Sequence, residues 1–188
     1  MRSWLTLTVL AALLVGCQTT PGGNENASYY VVPAGSRLTL HQALPIQPDS
    51  LRVYIQNGRV LKNAEVQHYY PFCSLELDRL SDVARTVAPD EFLITKAVHE
   101  EFSGAIAEAG PLLYARASLG RRVDQGGNPG GPLMVSFSTR MELRSEKQPD
   151  VRRITCAQWG YQGIDRHATV AEIRKTLEPL FTLRLPNQ

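Results

Sequence analysis

The chain has 188 residues, with 20 Lys and Arg against 18 Asp and Glu, four His, three Cys and a 43% share of hydrophobic residues. So even a balance excludes the basic footprint of a nucleic-acid binder and the polybasic stretch of a membrane-surface protein; pairs such as Arg121-Arg122 and Arg152-Arg153 read as solvated surface. Behind the first segment about 160 residues remain, enough for one domain with its own core.

The chain opens Met1-Arg2-Ser3-Trp4, with one positive charge, and continues from Leu5 to Leu14 without a charge. A positive start followed by an apolar run of this length has the form of a secretory signal peptide. A bilayer-spanning helix takes about 20 apolar residues, and this run is shorter. Its end, Leu14-Val15-Gly16-Cys17, resembles the lipobox of bacterial lipoproteins, and the chain as a whole resembles the small uncharacterised envelope lipoproteins of Gram-negative bacteria. The resemblance implies cleavage before Cys17, a diacylglycerol on its sulfur and an acyl chain on its amine. Two or more such chains anchor a protein stably in a membrane. Gln18, standing where Asp would signal inner-membrane retention, implies the periplasmic face of the outer membrane. The alternative is an ordinary signal peptide with a chance cysteine. The expected organisation is a signal peptide over residues 1–16, a lipidated tether over 17–28 and a periplasmic domain over 29–188. The tether sequence QTTPGGNENAS has almost nothing apolar to bury, so it reads as flexible, spanning on the order of 20 Å.

The domain is expected to be mainly β, a small antiparallel sandwich or barrel of six or so strands with one C-terminal helix. Leu38 and Leu40 alternate with polar residues, and Leu44 and Ile46 resume the alternation. Leu51, Val53 and Ile55 oppose Arg52, Tyr54 and Gln56, and Asn57-Gly58 supplies the positive-φ pair of a type I′ hairpin. CSLELDRL places Cys73, Leu75 and Leu77 on one face, with Ser74, Glu76 and Asp78 wet on the other. EFLITKAV is a further strand. In LMVSFSTRMELR, Val135, Phe137, Thr139, Met141 and Leu143 face one way and Ser136, Ser138, Arg140 and Glu142 the other. After the turn EKQPD, VRRITCAQW returns as its partner strand. Such strands, with one face in and one face wet, mark an antiparallel sheet.

Two segments break the period. Residues 103–132 start with a short helix at GAIAEAG and end in the glycine-rich QGGNPGGP, which reads as a mobile excursion. ATVAEIRKTLEPLF reads as a helix. Thr169 and Glu172 form a capping box, Ile173 and Leu177 share one face, and Pro179 marks the stop. FTLRLP closes the chain as a last strand.

Catalytic signatures are missing from the sequence. His41, His68, His99 and His167 have no metal-ligand spacing, and HEEF lacks the second His of a zinc-protease helix. QGGNPGGP has no following Lys-Ser/Thr to make a phosphate loop, and no G-x-S-x-G elbow occurs. No catalytic residue, metal ligand or cofactor is assigned. The leading reading is a non-enzymatic binding or accessory domain with an envelope protein or glycan as partner and no nucleic acid. The alternative is an envelope hydrolase or glycan-binding protein with its site at the mouth of the β-fold.

Two local expectations sharpen this. HYYPF and WGY flank the two cysteine-bearing strands, so Tyr69, Tyr70, Trp159 and Tyr161 would form an exposed binding platform if those strands are neighbours. Aromatics filling the core and its rim are the plainer reading. With Cys17 lipidated, Cys73 and Cys156 remain as a pair in an oxidising compartment, both in step with apolar neighbours. They are expected to form a structural disulfide, against the alternative of two separate buried thiols.

Overall fold

The computed structural model describes residues 23–103 and 134–186. Cys17 with the expected lipobox, and the helix and glycine-rich excursion expected after Ser103, lie outside the described residues.

Among the described residues ten strands follow one another: β1 (Arg37–Leu40), β2 (Leu44–Ile46), β3 (Arg52–Gln56), β4 (Arg59–Leu61), β5 (Phe72–Leu77), β6 (Arg85–Val87), β7 (Asp90–Ser103), β8 (Met134–Arg144), β9 (Val151–Tyr161) and β10 (Phe181–Arg184). Helix α1 (Val170–Leu177) lies between the last two. Eight strands form one antiparallel sheet in the order β10-β1-β7-β8-β9-β5-β3-β4, which curls into a half-barrel. β2 and β6 pair separately, and Leu44, Ile46 and Val87 bring that small sheet into the core. Among the described residues the domain is thus mainly β with one C-terminal helix, as expected.

The period-2 runs choose the inner face. Met141, Ile154, Leu75 and Val53 stand in one cross-strand row, all fully or nearly buried. Val170, Ile173 and Leu177 of α1 join the same core, so the helix packs into the concavity. Its capping box is made as expected: Glu172 N donates to Thr169 Oγ1 at 3.2 Å and Thr169 N to Glu172 Oε2 at 2.7 Å. The helix ends at Leu177, just ahead of Pro179.

Four details depart from the expected pattern. SRLTLHQALPI is split between β1 and β2, in different sheets, because the chain leaves the main sheet at His41, whose N–H bonds Leu180 O. β5 has no wet face. Ser74 and Glu76 are buried, because β5 lies between β3 and β9 and their outward side chains close over it. β7 does not stop near Val98 but continues to Ser103, paired over its upper half with β8 among the described residues. Residues 23–28 of the expected tether are partly docked on α1: Val170 N donates to Glu25 O at 3.3 Å, and Arg174 Nη1 lies 3.2 Å from Glu25 Oε2.

Candidate functional site: an aromatic patch on the outer face

The register fixes the outer face row by row. Phe102, Ser136 and Trp159 lie side by side across β7, β8 and β9. Below them come Glu100, Ser138, Ala157 and Phe72, then Val98, Arg140, Thr155, Ser74 and Tyr54. The lowest row is charged, with Glu142, Arg153, Glu76 and Arg52 in sequence. There Glu76 accepts from Arg52 Nε at 2.7 Å and from Arg153 Nη2 at 2.6 Å. The outer face therefore grades from an ion-paired end to an aromatic end.

At the aromatic end the loop between β4 and β5 folds over β9. Trp159 N donates to His68 O at 2.7 Å, bringing the loop against the strand. The His68 ring stacks on Trp159 at 4.3 Å with an interplanar angle of 14° and meets the edge of Phe72 at 5.0 Å. Tyr69 stands edge-on to Trp159 at 6.1 Å. Burial lowers the pKa of His68, so its ring is neutral near pH 7. A neutral imidazole stacks as one more aromatic plate.

The four aromatics named from the sequence come together unevenly. Tyr69 on the loop and Trp159 on β9 meet edge-on. Tyr70 is 67% exposed beside Tyr69 on the loop, and Tyr161, 42% exposed, follows two residues after Trp159 on the same face of β9. Ile164, on the turn that Tyr161 begins, is also exposed. None of the four lies in the buried core: Trp159 is half-buried and the three tyrosines are exposed. Three of them point to solvent within one patch.

Gln56 was not legible as part of this site. Its position in β3 predicts a wet side chain, yet it is 4% exposed. Its amide nitrogen donates to Gln67 O at 2.9 Å and reaches Tyr70 O and Pro71 O at 3.3 Å, while its Oε1 accepts from Gln67 N at 3.0 Å. One buried amide thus fixes both ends of the loop carrying His68, Tyr69 and Tyr70. Only the tertiary approach of that loop gives Gln56 its role, and no local sequence pattern records it.

The cysteines stand where the sequence places them. Cys73 and Cys156 are direct cross-strand partners on β5 and β9 and form a disulfide, with Cα atoms 4.0 Å apart. The bridge lies on the inner face of the same strands whose outer faces carry Phe72 and Trp159.

Two other features could hold a ligand. On the inner face His99 stacks on His167 at 4.1 Å, with Phe137 edge-on to His167 and Glu101 Oε1 3.6 Å from His167 Nε2. Burial pulls the pKa of His99 to about 4 and lowers that of His167. Among the described residues no three His, Cys, Asp or Glu side chains converge to hold a metal ion. An open depression of about 300 Å³ lies at the far end of β8, lined by Leu143, Arg144, Ser145, Glu146 and Pro149. Glu146 is the one carboxylate among the described residues of that lining.

The chain matches no known protein family, no curated protein and no solved structure.

Proposed function

We propose that this protein is a lipid-anchored, non-enzymatic binding module of the bacterial envelope, whose aromatic patch engages a partner protein at the periplasmic face of the outer membrane. The observation that carries the binding role is the patch itself: Tyr69 and Tyr70, on a loop held by a buried amide, and Tyr161 on β9 are exposed beside the Trp159–His68 stack. Tyrosine and tryptophan on a fixed framework bury large area while losing few rotors, which is what a protein-binding centre needs. The lipobox residues Leu14 to Cys17 support the anchor. Anchoring confines module and partner to a surface and raises their effective concentration, so a patch of modest area suffices.

Two experiments test the two halves separately. Cells fed a clickable palmitate analogue should label the wild-type chain and not Cys17→Ser; equal labelling removes the anchor. A photo-crosslinking amino acid placed at Tyr70 or Trp159 in cells should trap one discrete envelope protein from both positions. The same probe at Leu80, which is 59% exposed elsewhere on the domain, should not trap it. No adduct from either patch position, or the same adducts from Leu80, would overturn the binding role.

A further inference from the structure

β7 is one strand with two different edges. On one side β8 pairs with it up to Ser103 opposite Val135. On the other, β1 pairs with it only from Asp90 to Leu93, and the last backbone bonds join Ile94 to Gly35 and Ser36. Beyond Ile94, among the described residues, no strand lies on that side. The register also shifts between Ile94 and Lys96, a bulge that bends β7 where β1 leaves it. A run of unpaired backbone donors and acceptors at a sheet edge is a template for another strand. Its side chains decide which strand it accepts.

Lys96, Val98 and Glu100 point to the outer face, and Ala97, His99 and Glu101 to the inner. Two copies of this edge that pair antiparallel in a continuous sheet keep outer residues opposite outer ones, so the twofold axis passes through one residue. With the axis at Lys96, two ammonium groups oppose each other; at Glu100 or Glu101, two carboxylates do. At Ala97, Lys96 faces Val98. At His99, Val98 faces Glu100 and Lys96 faces Phe102. With the axis at Val98, the two valines pair, each Lys96 meets a Glu100, small Ala97 faces the bulky His99–His167 stack, and Thr95 faces Glu101. This is the one register in which opposite charges meet and like charges do not.

We propose that the β7 edge from Thr95 to Glu101 is a self-association site, pairing antiparallel with the same edge of a second copy about an axis through Val98. The groups are available for it. Lys96 is exposed and makes no ion pair among the described residues. Glu100 is 43% exposed and holds Arg140 through Oε1 at 3.0 Å, which leaves acceptor positions for the partner's Lys96. The charges that keep unrelated strands off this edge select for its own copy. The pair would join two half-barrels into one sheet and place both aromatic patches on the same outer face, giving the binding module two arms.

The test uses the full chain expressed in cells and treated briefly with a thiol oxidant. Residues directly opposite on antiparallel strands have Cα atoms about 4.5–5.5 Å apart, within reach of a disulfide. Val98→Cys should give a disulfide-linked dimer on a non-reducing gel at least tenfold above that from Leu80→Cys. Adding Lys96→Glu to Val98→Cys sets carboxylates against carboxylates and should cut the dimer at least tenfold. The swap Lys96→Glu with Glu100→Lys should restore it. Val98→Cys dimerising no better than Leu80→Cys would overturn the proposal, as would a dimer indifferent to Lys96→Glu. The comparison of Val98→Cys with Leu80→Cys stands even where the swapped chain folds poorly.

Discussion

Cys73 and Cys156 face each other directly across β5 and β9, 83 residues apart in the chain, and their bridge ties the strand before the long β7–β8 arm to the strand after it. Chain entropy for a loop of that length gives about 4.5 kcal/mol of stabilisation. The adjacent strands are held by their ladder as well, so the bridge acts mainly on the unfolded chain. The double variant Cys73→Ala/Cys156→Ala should lose about 3–5 kcal/mol in urea denaturation while keeping its native β-sheet circular dichroism. A loss below about 1 kcal/mol would mean that the unfolded chain gains little freedom when the bridge is removed.

The stacked His99 and His167 set a pH dependence. Burial holds the folded pKa of His99 at about 4, below the ordinary 6.5, and lowers that of His167 in the same sense despite Glu101. As pH falls below about 6.5 the unfolded chain binds protons that the folded chain refuses, so stability falls from there toward pH 4 and is unaffected above. The melting temperature should therefore drop between pH 7.5 and pH 5. In His99→Phe, which keeps a flat ring and removes the proton site, the drop should be smaller. An identical drop in both proteins would place the effect elsewhere.

Glu172 works in the opposite sense and lower on the pH scale. The hydrogen bonds from Arg166 at 2.8 and 3.0 Å are the largest cause, with Thr169 N assisting, and they pull its pKa from 4.5 to about 2. Its contribution is present above about pH 4.5 and is lost as pH falls toward 2. The stability difference between wild type and Glu172→Gln should be seen at pH 6 and should shrink steadily below pH 4. A difference that persists unchanged at pH 2.5 would show that the carboxylate charge is not its source. At the other half of the box, Thr169→Ala removes the acceptor for Glu172 N and should cost about 1 kcal/mol by denaturant titration.

What the sequence makes legible here is local, and what it hides is set by neighbours. Thr169 and Glu172 satisfy each other within one turn, and Val135 to Leu143 declare their inner face by simple alternation. The same alternation in β5 misleads, since Glu76 is covered only because Arg52 and Arg153 come from strands 24 and 77 residues away. Gln56 is polar in a strand like any surface residue until the loop at Gln67 to Pro71 arrives over it. The aromatic patch lies between these cases. Its residues were visible as two short runs, and a strand adjacency that the cysteine pair hinted at brought them together.

Gly58 carries two demands, of which the hairpin pattern reveals one. With Asn57 at φ 52° and Gly58 at φ 69°, the pair turns β3 into β4 as the type I′ geometry requires. The turn also abuts the end of α1: Gly58 N donates to Thr176 O at 2.9 Å, and a Cβ on Gly58 would lie 2.0 Å from the carbonyl oxygen of Glu178. Gly163 separates the two demands, because it has φ +79° with nothing within 4 Å of a Cβ. Gly163→Ala should therefore cost only the left-handed backbone conformation, about 1–2 kcal/mol. Gly58→Ala adds a backbone clash that neither the turn nor the helix end can relieve without moving, and should cost about 3 kcal/mol or more. Denaturant titration of the two single variants reads the difference directly. Equal losses would mean that the hairpin can back away from α1, and that the contact between Gly58 and the helix end does not hold the sheet edge to the core.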